Sequence, residues 1–208
     1  MHISWHGHYT LKIQVGDITL LLDPLSPETG LAPVRGKVTV VALSNPSDPT
    51  MAYLDDVSEA VVFNSPGEYE TAGLGLRALS WRADDGSERS LMCWHIKDMM
   101  LLHVGALNRE LTDIELQELE KTDIDVLAVS VGGGSGLNTK QALALTTTIE
   151  PRVVIPIHYH LPRLKEKLEP VDQFAKEMGL DPKNAEKKVI LKANKLPTED
   201  VMTVLLAP

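Results

Sequence analysis

The order of two hydrophobic patterns along the chain limits what it can fold into. Up to about residue 104, short apolar stretches alternate with turns, and several show the period of two that is typical of strands. Beyond that point, strand-like stretches alternate with stretches of helical spacing. The predicted strands of the first part are 3–5, 9–15, 18–22, 38–43, 60–63, 73–79, 90–96 and 99–104. This order predicts an α/β domain layered in the αββα manner.

The second part of the chain carries the helix signals. Thr112 followed by Glu115 predicts a capping box and a helix start, and Asn138 or Thr139 begins a second helix that runs to Ile149. The remaining predicted elements are helices at 161–168 and 171–178 and strands at 126–131, 153–157, 189–190 and 203–206. No linker composition separates the two parts, so we expect a single domain over residues 1–208.

Charge and composition argue against several classes of function. The formal net charge is −9 and the sequence pI is about 5.2, so general binding to a nucleic-acid backbone is not expected. Cys93 is the only cysteine, which excludes an intrachain disulfide and a cysteine-based zinc cluster. No apolar run approaches the ~20 residues of a membrane span, and no signal-peptide pattern opens the chain. We therefore expect a cytoplasmic protein that does not bind membranes.

Five short blocks carry the strongest information about ancestry. They are Trp5-His6-Gly7-His8, Leu22-Asp23-Pro24, Ser65-Pro66-Gly67-Glu68-Tyr69-Glu70, His103-Val104-Gly105 and the stretch 153–159. Each block alone is a weak signal. In this order and spacing, over residues 1–180, they resemble small metallo-β-lactamase-fold hydrolases of the subgroup that includes lactonase-like proteins. The resemblance implies a four-layer αββα sandwich and descent from metal-dependent hydrolases.

The metal-binding loop of that family is missing here. In active relatives a His-x-His-x-Asp-His loop follows the strand that 38–43 would form, and two clustered metals activate a bridging water. Two further ligands follow later in the chain. Aligned on this sequence, the ligand positions hold Asn45, Ser47, Pro49, Thr50, Ala83 and Ala106. Of the family's ligands only the last histidine, His158, is present, so the resemblance implies a vacated binuclear site.

The remaining histidines and carboxylates form the candidate site. His8, Asp23 and His158 are each expected at a strand end on the rim that the fold implies. They would be either hydrogen-bonded side chains without a metal or ligands of one relocated ion. Asp48 would join a relocated site if its loop shifts, although the prolines nearby restrict it. We expect no metal in the first case and zinc or manganese in the second.

Other chemistry-bearing residues are weaker candidates. Cys93 lies in a predicted strand and is expected in the core. Ser135 stands in the glycine-rich segment 132–136, which lacks both the nucleophile-elbow pattern and the lysine of a P-loop. The same segment could offer N–H groups to a small anion near His158.

These observations leave hypotheses from different classes. The leading hypothesis is a metallo-β-lactamase-fold protein with a vacated metal site, which is not catalytic and acts by binding or assembly. The alternative is a metal-dependent hydrolase of lactones or phosphoesters, with a mononuclear site around His158. The third is small-anion binding at the old site. Homo-oligomerisation is left open, and neither substrate nor partner follows from the resemblance.

Overall fold

The strands form two mixed sheets in a computed structural model, which describes residues 1–55, 57 and 59–208. In chain order the strands are β1 His2–Trp5, β2 Leu11–Val15, β3 Ile18–Leu22, β4 Val40–Ala42, β5 Val61–Phe63, β6 Gly67–Thr71, β7 Leu74–Arg82, β8 Glu88–Ile96, β9 Met99–His103, β10 Val126–Ser130, β11 Val153–Ile157, β12 Val189–Ile190 and β13 Met202–Thr203. The first sheet has the order β12-β1-β2-β3-β4-β5. The second has the order β13-β11-β10-β9-β8-β7-β6.

The helices follow the strand-rich half of the chain. The α-helices are α1 Asp113–Glu120, α2 Thr139–Ile149 and α3 Asp172–Glu177, and short 3-10 helices lie at Pro27–Thr29, Pro182–Asn184 and Ala193–Lys195. The predicted capping box opens α1, because Thr112 and Glu115 each accept a hydrogen bond from the other's backbone N–H. Asn138 caps α2. The predicted α/β sandwich is confirmed.

The main core lies between the two sheets. Fully buried side chains from both sheets meet there, among them Ile3 and Leu20 from the first sheet and Trp94 and Leu101 from the second. Burial of such large apolar side chains is the dominant favourable contribution to folding. None of the helices in the described part of the chain combines the length and the apolar character that a membrane span requires.

The outer face of the first sheet is covered by irregular chain. Leu21 and Val41 alternate with main-core residues along their strands and therefore face the other way. They pack with Val34, Val38 and Val57, which come from the connections that flank β4. Within the described residues no α-helix belongs to this layer, so loop side chains take the place of the helix that an idealised αββα sandwich would have.

Several strand ends meet at one edge of the sandwich. In the first sheet β3, β4 and β5 run parallel, and in the second β9, β10 and β11 do so. The β1–β2 turn lies at the same edge, because Leu11 at the start of β2 pairs with Leu22 at the end of β3. A 3.1 Å backbone hydrogen bond from His158 N to His8 O joins the two sheets here. Binding sites of α/β proteins usually lie at such carboxyl-terminal edges.

The helix predicted at 161–168 is wrong. Residues 160–169, which we call the strap, form turns and bends without a helix. Arg163 has a φ of 75°, outside the helical region, so a regular helical hydrogen-bond ladder cannot pass through it. The ends of the strap are tied together, because His160 N donates to Glu169 O at 2.9 Å. The strap is therefore a closed surface loop of the Ω type.

We predict that Gly132→Ala destabilises the protein by about 2–3 kcal/mol. A Cβ at this position would lie 2.5 Å from His158 O and 2.8 Å from Tyr159 Cα, and these backbone atoms cannot move without shifting the end of β11. Gly75→Ala is the matched control, because its Cβ would meet only His95 Cβ, at 3.4 Å. Neither glycine has a positive φ. Urea unfolding measures both variants, and equal losses of stability would contradict this close packing.

Candidate active site

Two buried histidines face each other at the edge where the strands end. His8 lies in the β1–β2 turn and His158 directly follows β11, and their ring centroids are 4.9 Å apart. Both have left-handed backbones, with φ of 49° and 51°. For a residue other than glycine this conformation costs roughly 1–2 kcal/mol. Such strain is concentrated at functional sites, so the positions of the two imidazoles are notable.

The carboxylate of Glu166 joins the two imidazoles. Its Oε2 lies 3.2 Å from His8 Nε2 and 3.1 Å from His158 Nε2. Its Oε1 accepts hydrogen bonds from the N–H and the hydroxyl of Ser135, both at 2.9 Å. We call His8, His158 and Glu166 the His–Glu cluster. The histidines are buried, whereas 27% of the Glu166 side chain is exposed, so the cluster reaches solvent through the strap.

The buried ring of Tyr9 packs against the His–Glu cluster. Its ring stacks on that of His158, with a centroid distance of 3.9 Å and an interplanar angle of 9°. Its hydroxyl lies 2.9 Å from Ser135 Oγ. Burial raises the pKa of Tyr9 well above its ordinary value, so the phenol stays neutral at physiological pH. Tyr9 therefore fixes the plane of the His158 ring.

The cluster combines a neutral imidazole with an ionised carboxylate. Burial lowers the pKa of His158 to about 4, although Glu166 opposes this shift. Burial would raise the pKa of Glu166, but hydrogen bonds from His158 and His8 hold it far below its ordinary value. A carboxylate can only accept, so each ring carries a proton on Nε2, and the neutral ring of His158 therefore has a lone pair on Nδ1. Neither Nδ1 atom has a hydrogen-bond partner among the residues that the structure describes.

A second buried network surrounds Asp23. Its Oδ1 accepts a hydrogen bond from Ser44 N at 2.6 Å, and its Oδ2 accepts one from Ser44 Oγ at 2.8 Å. The same Oδ2 lies 2.7 Å from His103 Nε2. Asp23 and His103 are fully buried, and Ser44 is nearly so. Because these residues follow β3, end β9 and follow β4, the network joins both sheets.

Residues 45–50, the loop that would carry the metal ligands, contain a turn held by hydrogen bonds within the loop. Asn45 is 5% exposed, and its Oδ1 has no partner within the described chain. Ser47 and Pro49 are exposed. Asp48 Oδ1 accepts hydrogen bonds from Thr50 N at 2.8 Å and Thr50 Oγ1 at 2.7 Å. These bonds hold Asp48 in a local turn.

A buried cation lies beside Ala106, where the resemblance places a bridging aspartate. Ala106 is buried, and its carbonyl oxygen accepts a 2.9 Å hydrogen bond from Arg89 Nη1. Arg89 is 9% exposed, and its Nη2 lies 3.1 Å from Asp85 Oδ2. The guanidinium thus binds the backbone of the residue that stands at the expected position of the bridging carboxylate. The guanidinium contributes a positive charge here, which its ion pair with Asp85 balances in part.

The structure assembles the sequence candidates only in part. His8 and His158 come together, Asp23 lies in the neighbouring network, and Asp48 lies in its own turn. Glu166 was missed in the sequence, because it lies in a segment predicted to be a solvated helix. Its only signal was its place eight residues after His158, which becomes meaningful once the strap is known to fold back.

The remaining candidate nucleophiles do not form a catalytic arrangement. Ser135 Oγ lies 3.5 Å from His158 Nε2, but the same nitrogen also faces Glu166, so no carboxylate orients the ring from Nδ1 as in a triad. Burial raises the pKa of the Cys93 thiol to about 12, which makes it unreactive. The His–Glu cluster is therefore the remaining candidate for the functional site.

Comparison with known proteins places the chain in a family. A family model described as "Beta-lactamase superfamily domain" matches residues 2–158. The chain belongs to the metallo-β-lactamase superfamily. A UPF0173 protein of Pyrococcus abyssi (strain GE5 / Orsay) is 23% identical to this member over 180 residues, which cover 76% of this chain and 83% of the relative.

Solved structures agree with this membership. A Thermotoga maritima protein, described as a candidate Zn-dependent hydrolase of the metallo-β-lactamase superfamily, is 25% identical with a TM-score of 0.78, and the match covers 100% of both chains. The isothiocyanate hydrolase from Delia radicum gut bacteria is 11% identical with a TM-score of 0.70, over 93% of this chain and 100% of that one. At that identity the likeness shows the fold alone.

The family implies a metal centre, and the donors at the expected binuclear positions do not fit one. None of the positions of Asn45, Ser47, Pro49, Thr50, Ala83 and Ala106 offers an imidazole or a carboxylate. Asp84, next to Ala83, is exposed. The buried guanidinium of Arg89 adds a charge of the wrong sign. Two divalent ions would therefore lack both ligands and charge compensation here.

A single metal fits the His–Glu cluster better. Its three donor atoms all lie within 4.8 Å of one another. Tetrahedral zinc with bonds of about 2.0–2.1 Å holds neighbouring donors about 3.3 Å apart, close to the contacts of 3.1 and 3.2 Å. Metal on Nε2 would move each ring proton to Nδ1, and each unpaired buried N–H costs roughly 1–3 kcal/mol. Structural zinc contributes roughly 10 kcal/mol or more, so this cost does not exclude it.

We predict that Asp23→Asn destabilises the protein by about 3 kcal/mol, because it places an amide where the carboxylate accepts hydrogen bonds from Ser44 and His103. Asparagine tolerates the left-handed φ of 45° at this position, so backbone strain does not add to the loss. Asp48→Asn is the control, since its local turn tolerates an amide. Chemical denaturation measures both variants, and a loss below 1 kcal/mol for Asp23→Asn would contradict the importance of the network.

Proposed function

We propose that this chain is a non-hydrolytic member of its superfamily, which acts by binding at the edge where the strands end. The Asp23 network is the observation that supports this proposal most directly. Ser44, at the start of the vacated loop, uses its N–H and its hydroxyl to bind Asp23. These two hydrogen bonds hold the start of the loop against Asp23.

The charge distribution also supports a non-hydrolytic role. Binuclear hydrolysis depends on carboxylates that balance two divalent ions and on a water that bridges them. Ala106 provides no carboxylate, and Arg89 places a guanidinium beside it. Restoring the chemistry would require several ligand substitutions and removal of this cation. The missing ligands and the added cation are mutually consistent, as expected if the whole site lost its catalytic role together.

Hydrolysis by a single relocated metal is the second candidate function. The His–Glu cluster favours it, because two histidines and a glutamate are also the ligands of several hydrolytic zinc sites. In such sites the metal polarises a substrate oxygen or acidifies a bound water. The two carboxylates named from the sequence are already bonded, Asp23 to Ser44 and His103 and Asp48 to Thr50, which leaves a general base unassigned.

Small-anion binding by the glycine-rich segment receives less support. The N–H and hydroxyl of Ser135 already bind Glu166 Oε1. An external anion would have to displace this carboxylate and would then face the neutral imidazole of His158. The chain's own carboxylate thus fills the position that the anion hypothesis requires.

We predict no turnover of lactones or phosphodiesters by the full chain, with or without added Zn²⁺ or Mn²⁺, above the rate of a protein-free control. Initial rates over a substrate panel measure this, and His158→Asn should give the same background. Turnover that a chelator removes and that His158→Asn lacks would contradict the proposal in favour of the single-metal hydrolase. Turnover that survives chelation would contradict both.

A further inference from the structure

The His–Glu cluster draws its donors from three separate parts of the chain. His8 lies in the β1–β2 turn, His158 follows β11, and Glu166 lies in the strap. Only His158 corresponds to a ligand of the family's binuclear centre. The cluster is therefore a different site from that centre, although the two share one residue.

We infer that His8 Nε2, His158 Nε2 and Glu166 Oε2 form a binding site for one divalent transition-metal ion of the zinc type. Two imidazoles and one carboxylate favour zinc over magnesium or calcium, which prefer oxygen ligands alone. The inference goes beyond the proposed function, because an ion held here need not hydrolyse anything. It would fix the strap to both sheets.

The donors are held in place before any ion arrives. The backbone hydrogen bond from His158 N to His8 O fixes the two ligand segments relative to each other. Stacking on Tyr9 sets the plane of the His158 ring. The bonds from Ser135 to Glu166 Oε1 leave Oε2 directed at the imidazoles. Such supporting contacts around a ligand orient it for metal binding.

Metal binding would move one proton within each imidazole ring, with no net release of protons and no change in the oxidation state of any group. Each Nε2 gives up its proton, Nδ1 of the same ring takes one up through solvent, and both Nε2 lone pairs then bind the metal. Glu166 Oε2 exchanges two N–H contacts for one metal–oxygen bond. Both Nδ1 atoms are free of hydrogen-bond partners in the described chain, so no existing bond is lost there.

Titration of the chelator-stripped full chain with Zn²⁺ alone tests the inference. Isothermal calorimetry should show one ion per chain, and Co²⁺ should give the visible d–d absorption of a tetrahedral site. Glu166→Gln keeps the side-chain shape and should weaken binding at least ~100-fold, because it removes a direct ligand. Glu169→Gln, an exposed position on the same strap, should bind like the unsubstituted chain.

A second variant and a spectroscopic readout guard against simple misfolding. His158→Asn suits the left-handed backbone at this position and should abolish Zn²⁺ binding with an unchanged circular dichroism spectrum. Imidazole ¹⁵N spectra should show the proton moving from Nε2 to Nδ1 in His8 and His158 upon Zn²⁺ addition. His103, whose Nε2 contacts Asp23, should not change.

The outcomes separate this inference from the proposed function. Absence of saturable Zn²⁺ binding, or binding that neither Glu166→Gln nor His158→Asn weakens, would overturn the inference alone. Stoichiometric binding without turnover supports both. Stoichiometric binding with chelator-sensitive turnover supports the inference and overturns the non-hydrolytic proposal.

Discussion

The buried carboxylate of Asp23 is the interaction on which the functional edge of this protein depends. It binds Ser44 after β4 and contacts His103 at the end of β9, so one side chain fixes strand ends from both sheets. Its own backbone carbonyl accepts a 2.6 Å hydrogen bond from the hydroxyl of Thr10, two residues after His8. The β1–β2 turn, and with it one imidazole of the His–Glu cluster, is therefore positioned by the same residue.

The sequence predicted those parts of the fold and the site that strand periodicity controls. The family resemblance, together with the predicted strand ends, placed His8, Asp23 and His158 at one rim. Strand limits were less exact: the stretch 38–43 contributes only Val40–Ala42, because pairing with both neighbours lasts for three residues. The partner of each imidazole could not be predicted. Residues at the same rim can bind different groups, because a small change in the backbone geometry of a turn changes the direction of a side chain.

Glu166 illustrates what a one-dimensional pattern misses. Its segment has apolar spacing compatible with a helix, and local propensity contains no information about Arg163 adopting a positive φ or Glu169 N donating to Gly132 O. Those features arise from tertiary contacts with the glycine-rich turn, whose residues are distant in sequence. A carboxylate that reaches a site through an irregular loop has no periodic signal, and only the folded chain brings it to its partners.

The left-handed backbone at His8, Asp23 and His158 restricts how these positions can drift. Glycine, asparagine, aspartate and histidine enter that conformation most readily, while β-branched residues are largely excluded. Few substitutions at these three positions are therefore compatible with the backbone. The turn geometry at this edge therefore selects polar side chains by backbone conformation, independently of any chemistry that they perform.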